Sequence, residues 1–154
     1  MAQQEEENIL EEHLIQSANK AGFFQLLGVQ IERIEGGRGQ VRIAVDERLM
    51  HPRMIVHGGV IFTLADTAMS MALMSVIPPG TPFGTIEAKI NFLAPVRTGE
   101  LIAEGTIVHQ GRSTAVLEAT VYNIHEAERQ AVARTLGTFN IARSRQTAAR
   151  APVK

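Results

Sequence analysis

Apolar and polar residues along the chain repeat with two different periods, and the change of period divides it into elements. Val41, Ile43 and Val45 alternate with Gln40, Arg42 and Ala44, the period-two pattern of a strand with one face on a core. The alternation returns at Ile86, Ala88, Ile90 and Phe92, set against Thr85, Glu87, Lys89 and Asn91. It predicts the first four inward and the second four outward. Further strand-like runs cover 28–35, 100–110, 113–123 and 130–141, separated by turn signals at Gly36-Gly37, Pro95 to Gly99, Gly111 and Glu126 to Arg129. Such short turns imply antiparallel pairing.

Between the second and third strands the alternation stops. Residues Gly58 to Ile77 read GGVIFTLADTAMSMALMSVI, with Asp66 as the one charge. Gly58-Gly59 open the segment and Pro78-Pro79 close it. Its length would suit a membrane span, but a central carboxylate would cost about 2.5–3.5 kcal/mol on insertion scales. A helix apolar on all sides also suits the centre of a globular domain, and the strands on either side favour that reading. Residues 3–20 fit an amphipathic helix with Ile9, Leu10, His13, Leu14 and Ser17 along one stripe. The expected architecture is an α+β domain: a curved antiparallel sheet of five to six strands around one long helix. The expected division is an acidic N-terminal helix or tail (1–20), the main domain (21–142) and a flexible basic tail (143–154).

Composition narrows the chemistry. The 154 residues fit one domain, and 45% apolar with 20% charged residues describes a folded chain. Fifteen basic against sixteen acidic residues, with one Tyr and no Trp, offer nucleic acid neither general attraction nor stacking platforms. The absence of Cys removes thiolate nucleophiles, thiolate metal sites and disulfides. Five His lack HxxxH spacing, so no metal site is expected. The acidic start does not resemble a signal peptide, so a cytoplasmic protein without membrane attachment is expected.

Two features of the apolar helix carry candidate chemistry. Its N-terminus leaves backbone N–H groups without intrahelical acceptors, and Gly58 and Gly59 there let a ligand oxygen approach without meeting a Cβ. This is the physics of an oxyanion hole, although an isolated Gly-Gly pair is more often a turn that feeds a helix. Asp66, one of two Asp residues, sits among Leu64, Ala65, Ala68 and Met69. A carboxylate buried there needs a partner or a function.

Taken together, His57-Gly58-Gly59-Val60-Ile61-Phe62-Thr63-Leu64-Ala65-Asp66, followed by Ala68 and Ala72, resembles the HGGxxxxLxD signature of hotdog-fold acyl-CoA thioesterases, in particular the phenylacetate-degradation-type branch. Gly84-Thr85-Ile86-Glu87-Ala88-Lys89-Ile90-Asn91-Phe92-Leu93-Ala94-Pro95 and the turn Gln110-Gly111-Arg112-Ser113 are similar to the same family, so the likeness spans residues 20 to 142 or thereabouts. The resemblance implies that the Gly58 N–H, with Gly59 assisting, polarises a thioester carbonyl, and that Asp66 is the general base or nucleophile. It implies that His57 orients the loop or meets the thioester, and that Thr85 helps hold water. His51-Pro52 stands where many relatives have Asn-Pro, and Met54 where they often have Gly. His51 can still donate a hydrogen bond to the carbonyl, but unlike an amide it titrates.

Other readings are weaker. Arg97 and the Arg112-Ser113 turn are candidates for the phosphates of coenzyme A, which belongs to the substrate and is not a cofactor; isolated surface arginines are otherwise solvated charges. Met69, Met71 and Met74 read as core, and Gly36-Gly37-Arg38-Gly39 as a hairpin turn. Alternatives to a thioesterase are an acyl-thioester hydratase or dehydratase and a non-catalytic acyl-CoA-binding protein; Asp46 to His51 only loosely matches the D-x-N-x-x-H-like segment a hydratase would carry. Finally, Gly59 and Asp66 are seven residues apart, roughly 10 Å along one helix axis. That is too far to serve one carbonyl, so a homodimer with antiparallel helices, or a homotetramer of such pairs, is expected.

Overall fold

The computed structural model describes residues 2–142; the expected tail at 143–154 lies outside them. Two helices, α1 (Ala2–Asn19) and α2 (Gly22–Leu27), precede β1 (Gln30–Glu35) and β2 (Arg38–Ala44). A one-turn 3₁₀ helix (Glu47–Leu49) and a small ladder of β3 (Met50–His51) and β4 (Ile55–Val56) lead into α3 (Gly58–Met74). Four long strands follow: β5 (Phe83–Phe92), β6 (Glu100–Gln110), β7 (Thr114–His125) and β8 (Glu128–Ile141). The large sheet is antiparallel in the order β1-β2-β6-β7-β8-β5. It curves around α3 as the alternation implied, with six strands.

Helix and sheet meet closely because two glycines permit it. A Cβ on Gly39 in β2 would collide with the Ala68 carbonyl oxygen, and one on Gly105 in β6 with the Ala68 backbone. Small residues at all three positions bring α3 down onto the sheet. Leu64, Ala65, Ala68, Met69, Ala72 and Leu73 are sealed between them, facing Val41, Leu101, Leu117, Val121 and Phe139. Met69 and Met71 are core as expected, while Met74 is half-buried.

Three expectations need correction. First, α1 docks by a stripe that keeps Leu14 of the expected one but not Ile9, His13 or Ser17; the Leu10 side chain lies outside what is described. Ile9 is 55% exposed and His13 and Ser17 are exposed, whereas Leu14, Ile15 and Ala18 pack on the core. Polar contacts set this rotation. The Asn19 amide exchanges two hydrogen bonds with Ile31 (Oδ1 from Ile31 N, 2.8 Å; Nδ2 to Ile31 O, 3.1 Å), and Glu11 Oε1 accepts the Ile34 N–H at 3.1 Å. These side chains occupy the outer edge of β1, which would otherwise be open.

Second, β5 does not keep strict alternation. Its pairing with β8 shifts between Thr85 and Glu87, a bulge that reverses the facing of the residues before it. Ile86 is therefore 59% exposed, and Thr85 turns toward α3. Third, α2 is a helix that the pattern does not announce: Gly22-Phe23-Phe24-Gln25-Leu26-Leu27 is too short to show a period. Its one local signal is Gly28, which ends the helix at φ 81°. The Phe24 carbonyl there accepts the N–H groups of Gly28 (2.8 Å) and Val29 (2.9 Å).

Candidate active site

The N-terminus of α3 is built by His57. Its backbone N–H donates to the Leu49 carbonyl (2.8 Å), fixing the residue in an extended conformation as the N-cap. Its ring Nδ1 accepts the Gly59 N–H at 2.9 Å. A neutral imidazole accepting at Nδ1 carries its proton on Nε2, so His57 presents an N–H donor outward. The same contact divides the two glycines. Gly59 is committed to the cap, while the Gly58 N–H meets no acceptor among the described residues. A Cβ on Gly59 would fall 2.9 Å from His57 Nδ1, and one on Gly58 would fall 3.1 Å from Phe92 Cζ. The alternation of β5 predicts Phe92 only as an inward strand position. It faces inward, but β5 passes beyond the first turn of α3 and the ring, 53% exposed, lies over Gly58.

The β3–β4 loop brings His51 to the same place. Its ring centroid is 6.2 Å from that of His57, and its Nδ1 accepts the Arg53 N–H at 3.2 Å, so this ring also presents Nε2–H. The loop turns at Met54, whose φ of 57° is the left-handed region that favours Gly. Arg97 holds that turn: Nη1 donates to the Met54 carbonyl at 3.0 Å. Arg97 is thus a clamp on the loop as well as a surface cation.

Asp66 lies further along α3, on a stripe the sheet does not cover. Phe62, Thr63, Asp66, Ser70 and Met74 are half-buried while the rest of the helix is largely sealed. The helix is therefore not enclosed on all sides as its sequence suggested. Thr85 Oγ1 donates to Asp66 Oδ1 at 2.7 Å, across from the bulge. Eight residues separate Asp66 from Gly58, about 12 Å along the axis.

The two arginines stand at opposite ends. Arg97 sits with Met54 beside the α3 N-terminus. The exposed Arg112-Ser113 turn lies near the other end, where the Ser113 carbonyl accepts the Ile141 N–H and Ile141 pairs with Phe83, two residues before Thr85. One chain thus gathers Gly58, His57, His51 and Arg97 about the N-terminus of α3, and sets Asp66 with Thr85 at mid-helix, with Arg112 and Ser113 beyond them. Among the described residues no three His, Asp or Glu are grouped to hold a metal, and no helix is long and apolar enough to cross a membrane.

Residues 54–129, which include the α3 terminus, Asp66, Thr85 and both arginines, match the thioesterase superfamily. An esterase-named protein of Halobacterium salinarum is 34% identical over 139 residues, covering 84% of this chain and 91% of that protein. The chain belongs to the thioesterase superfamily. The 1,4-dihydroxy-2-naphthoyl-CoA hydrolase of Listeria monocytogenes is 34% identical over 101 residues, 65% of this chain and 81% of that one. The acyl-coenzyme A thioesterase PaaI of Escherichia coli is 32% identical over 98 residues, 63% of this chain and 68% of PaaI. The solved structure of E. coli PaaI superposes with a TM-score of 0.76 at 25% identity, covering 89% of this chain and 94% of that one. The sheet wrapped around α3 is the hotdog fold, and this superfamily member is a thioester hydrolase.

Proposed function

We propose that the chain hydrolyses acyl-CoA thioesters, releasing a free acid and coenzyme A, at sites that two copies of the chain share. The observation that carries this reading is the Asp66–Thr85 pair on the uncovered stripe of α3, about 12 Å from the free Gly58 N–H on the same helix. A two-fold axis that sets two α3 helices antiparallel along this stripe brings Asp66 of each chain to Gly58 of the other. The uncovered stripe and the unpaired outer edge of β5 both favour such a partner. The same operation brings Arg97 of one chain toward Arg112 of the other, so both can meet the phosphates of one coenzyme A.

In this site the Gly58 N–H, backed by the positive end of α3, binds the thioester oxygen as it gains charge. The Nε2–H groups of His57 and His51, whose rings lie 6.2 Å apart, would be further donors to it. Asp66 of the other chain accepts a proton as water adds to the carbonyl carbon, and Thr85 fixes which carboxylate oxygen faces that water. Collapse of the tetrahedral intermediate breaks the C–S bond, and the proton held by Asp66 passes to the departing thiolate. Water is the one co-reactant, and no cofactor is needed.

Steady-state release of thiol from acyl-CoA tests this reading and separates it from hydration chemistry or simple binding. Wild type should turn over. Asp66→Ala should lose about 10²–10⁴-fold in kcat, the span of a general base. Tight binding of acyl-CoA with no thiol release would overturn the proposal.

A further inference from the structure

Beside the polarising end of α3 is a hollow that neither the signature residues nor the fold class assigns. It measures about 360 Å³, within the range of small-molecule sites. Phe23 and Leu27 of α2 form one wall, and Leu49, Met50 and Val60 the other. His57 and Gly59 border it, so it begins where the thioester carbonyl would be held.

Apart from the outward Nε2–H of His57 at its border, the polar side chains around this hollow are already committed. Arg48 at its margin is paired with Asp46 at 2.7 Å, and the side-chain hydrogen bond from Arg48 holds the Asp46 carboxyl below its usual range. The Thr63 hydroxyl donates to the Gly59 carbonyl at 2.9 Å. What the hollow offers a ligand is apolar surface, including a Phe23 ring left 54% exposed. An apolar occupant would cover that ring, whereas a charged one would find no unpaired counter-charge. The α2 wall is fixed at its base by the two N–H groups that converge on the Phe24 carbonyl. A larger hollow of about 970 Å³ beside Met74, Pro78 and Phe83 is edged by Glu11, Arg33, Glu35 and Arg38. It lies at the far end of α3 from the Gly58 N–H of its own chain.

We propose that the hollow between α2 and the first turns of α3 is the acyl site, and that it selects an uncharged aryl or medium-length aliphatic acyl group; this rests on the thioesterase reading of the same helix end. The test compares kcat/KM for acetyl-, octanoyl-, phenylacetyl- and succinyl-CoA in wild type and three variants. Wild type should prefer octanoyl- and phenylacetyl-CoA over acetyl-CoA and use succinyl-CoA poorly. Phe23→Ala should lower the octanoyl-to-acetyl ratio about tenfold, the scale of a lost apolar pocket contact. Leu26→Ala, on the same helix but 71% exposed and away from the hollow, should keep the wild-type ratio. Equal losses on every substrate in Phe23→Ala, a shift in ratio produced instead by Met74→Ala, or a preference for succinyl-CoA would each overturn the acyl site while leaving the hydrolase intact. Failure of wild type to release thiol from any acyl-CoA would overturn both.

Discussion

At the residue scale, the candidate site depends on two hydrogen bonds, and each makes a prediction. Thr85 holds Asp66 through a bond of 2.7 Å; a hydrogen bond to a charged group is worth about 1.5–3 kcal/mol. Thr85→Val should therefore lower kcat about ten- to a hundredfold with little change in KM, and Thr85→Ser should restore most of it. Gly59→Ala sets two effects against each other. Ala favours a helix by up to about 1 kcal/mol over Gly, but its Cβ would displace the His57 ring and remove a cap of similar worth. Thermal stability should hardly change while kcat falls, because His57 loses its orientation; a stable variant with wild-type kcat would show that the ring position is immaterial. Much of this was legible. His57, Gly58, Gly59 and Asp66 are contiguous on one helix, where fixed spacing reads directly as geometry. Thr85 was legible only through family likeness, since alternation places it outward and the bulge at Ile86 leaves no local signature. That His57 takes the Gly59 N–H, leaving Gly58 as the free donor, depends on a ring orientation that spacing does not specify.

At the element scale, the most legible elements are those whose own pattern decides their form. The strands β1, β2 and β5 to β8 and the helix α3 announce themselves by period and by glycine or proline at their ends. The docking face of α1 did not, because Asn19 and Glu11 turn it to satisfy the edge of β1, a contact between distant segments. The β3–β4 loop behaves similarly: Met54 at positive φ is tolerated with Arg97 holding its carbonyl. This distinguishes the two arginines proposed to meet coenzyme A. Arg112→Ala should raise KM with kcat nearly unchanged, the mark of lost uniform binding, and the KM difference from wild type should shrink as salt screens the contact. Arg97→Ala should raise KM and also lower kcat, since it releases the loop that carries His51. Indistinguishable kinetics for the two variants would argue against the clamp.

At the scale of the whole molecule, the central claim is that one chain holds two half-sites. Neither Gly58 nor Asp66 can complete the other across about 12 Å of a rigid helix, so catalysis should require a dimer, and complementary defects should rescue one another. Gly58→Pro removes the N–H proposed to polarise the carbonyl, at a helix position where Pro is well tolerated, and the ψ of 134° at His57 suits a following proline. The exposed Phe92 ring must yield slightly to the new Cβ. Asp66→Ala removes the proposed base. Each homodimer should be nearly inactive, while a hybrid carries one site with both defects and one with neither. The decisive measurement is thiol release by the two variants co-refolded in equal amounts, with subunit exchange and folding verified. Random pairing makes half of the dimers hybrids, so recovery to roughly a quarter of wild-type activity is predicted; folded hybrids that remain as inactive as the parent variants would contradict a site shared between chains.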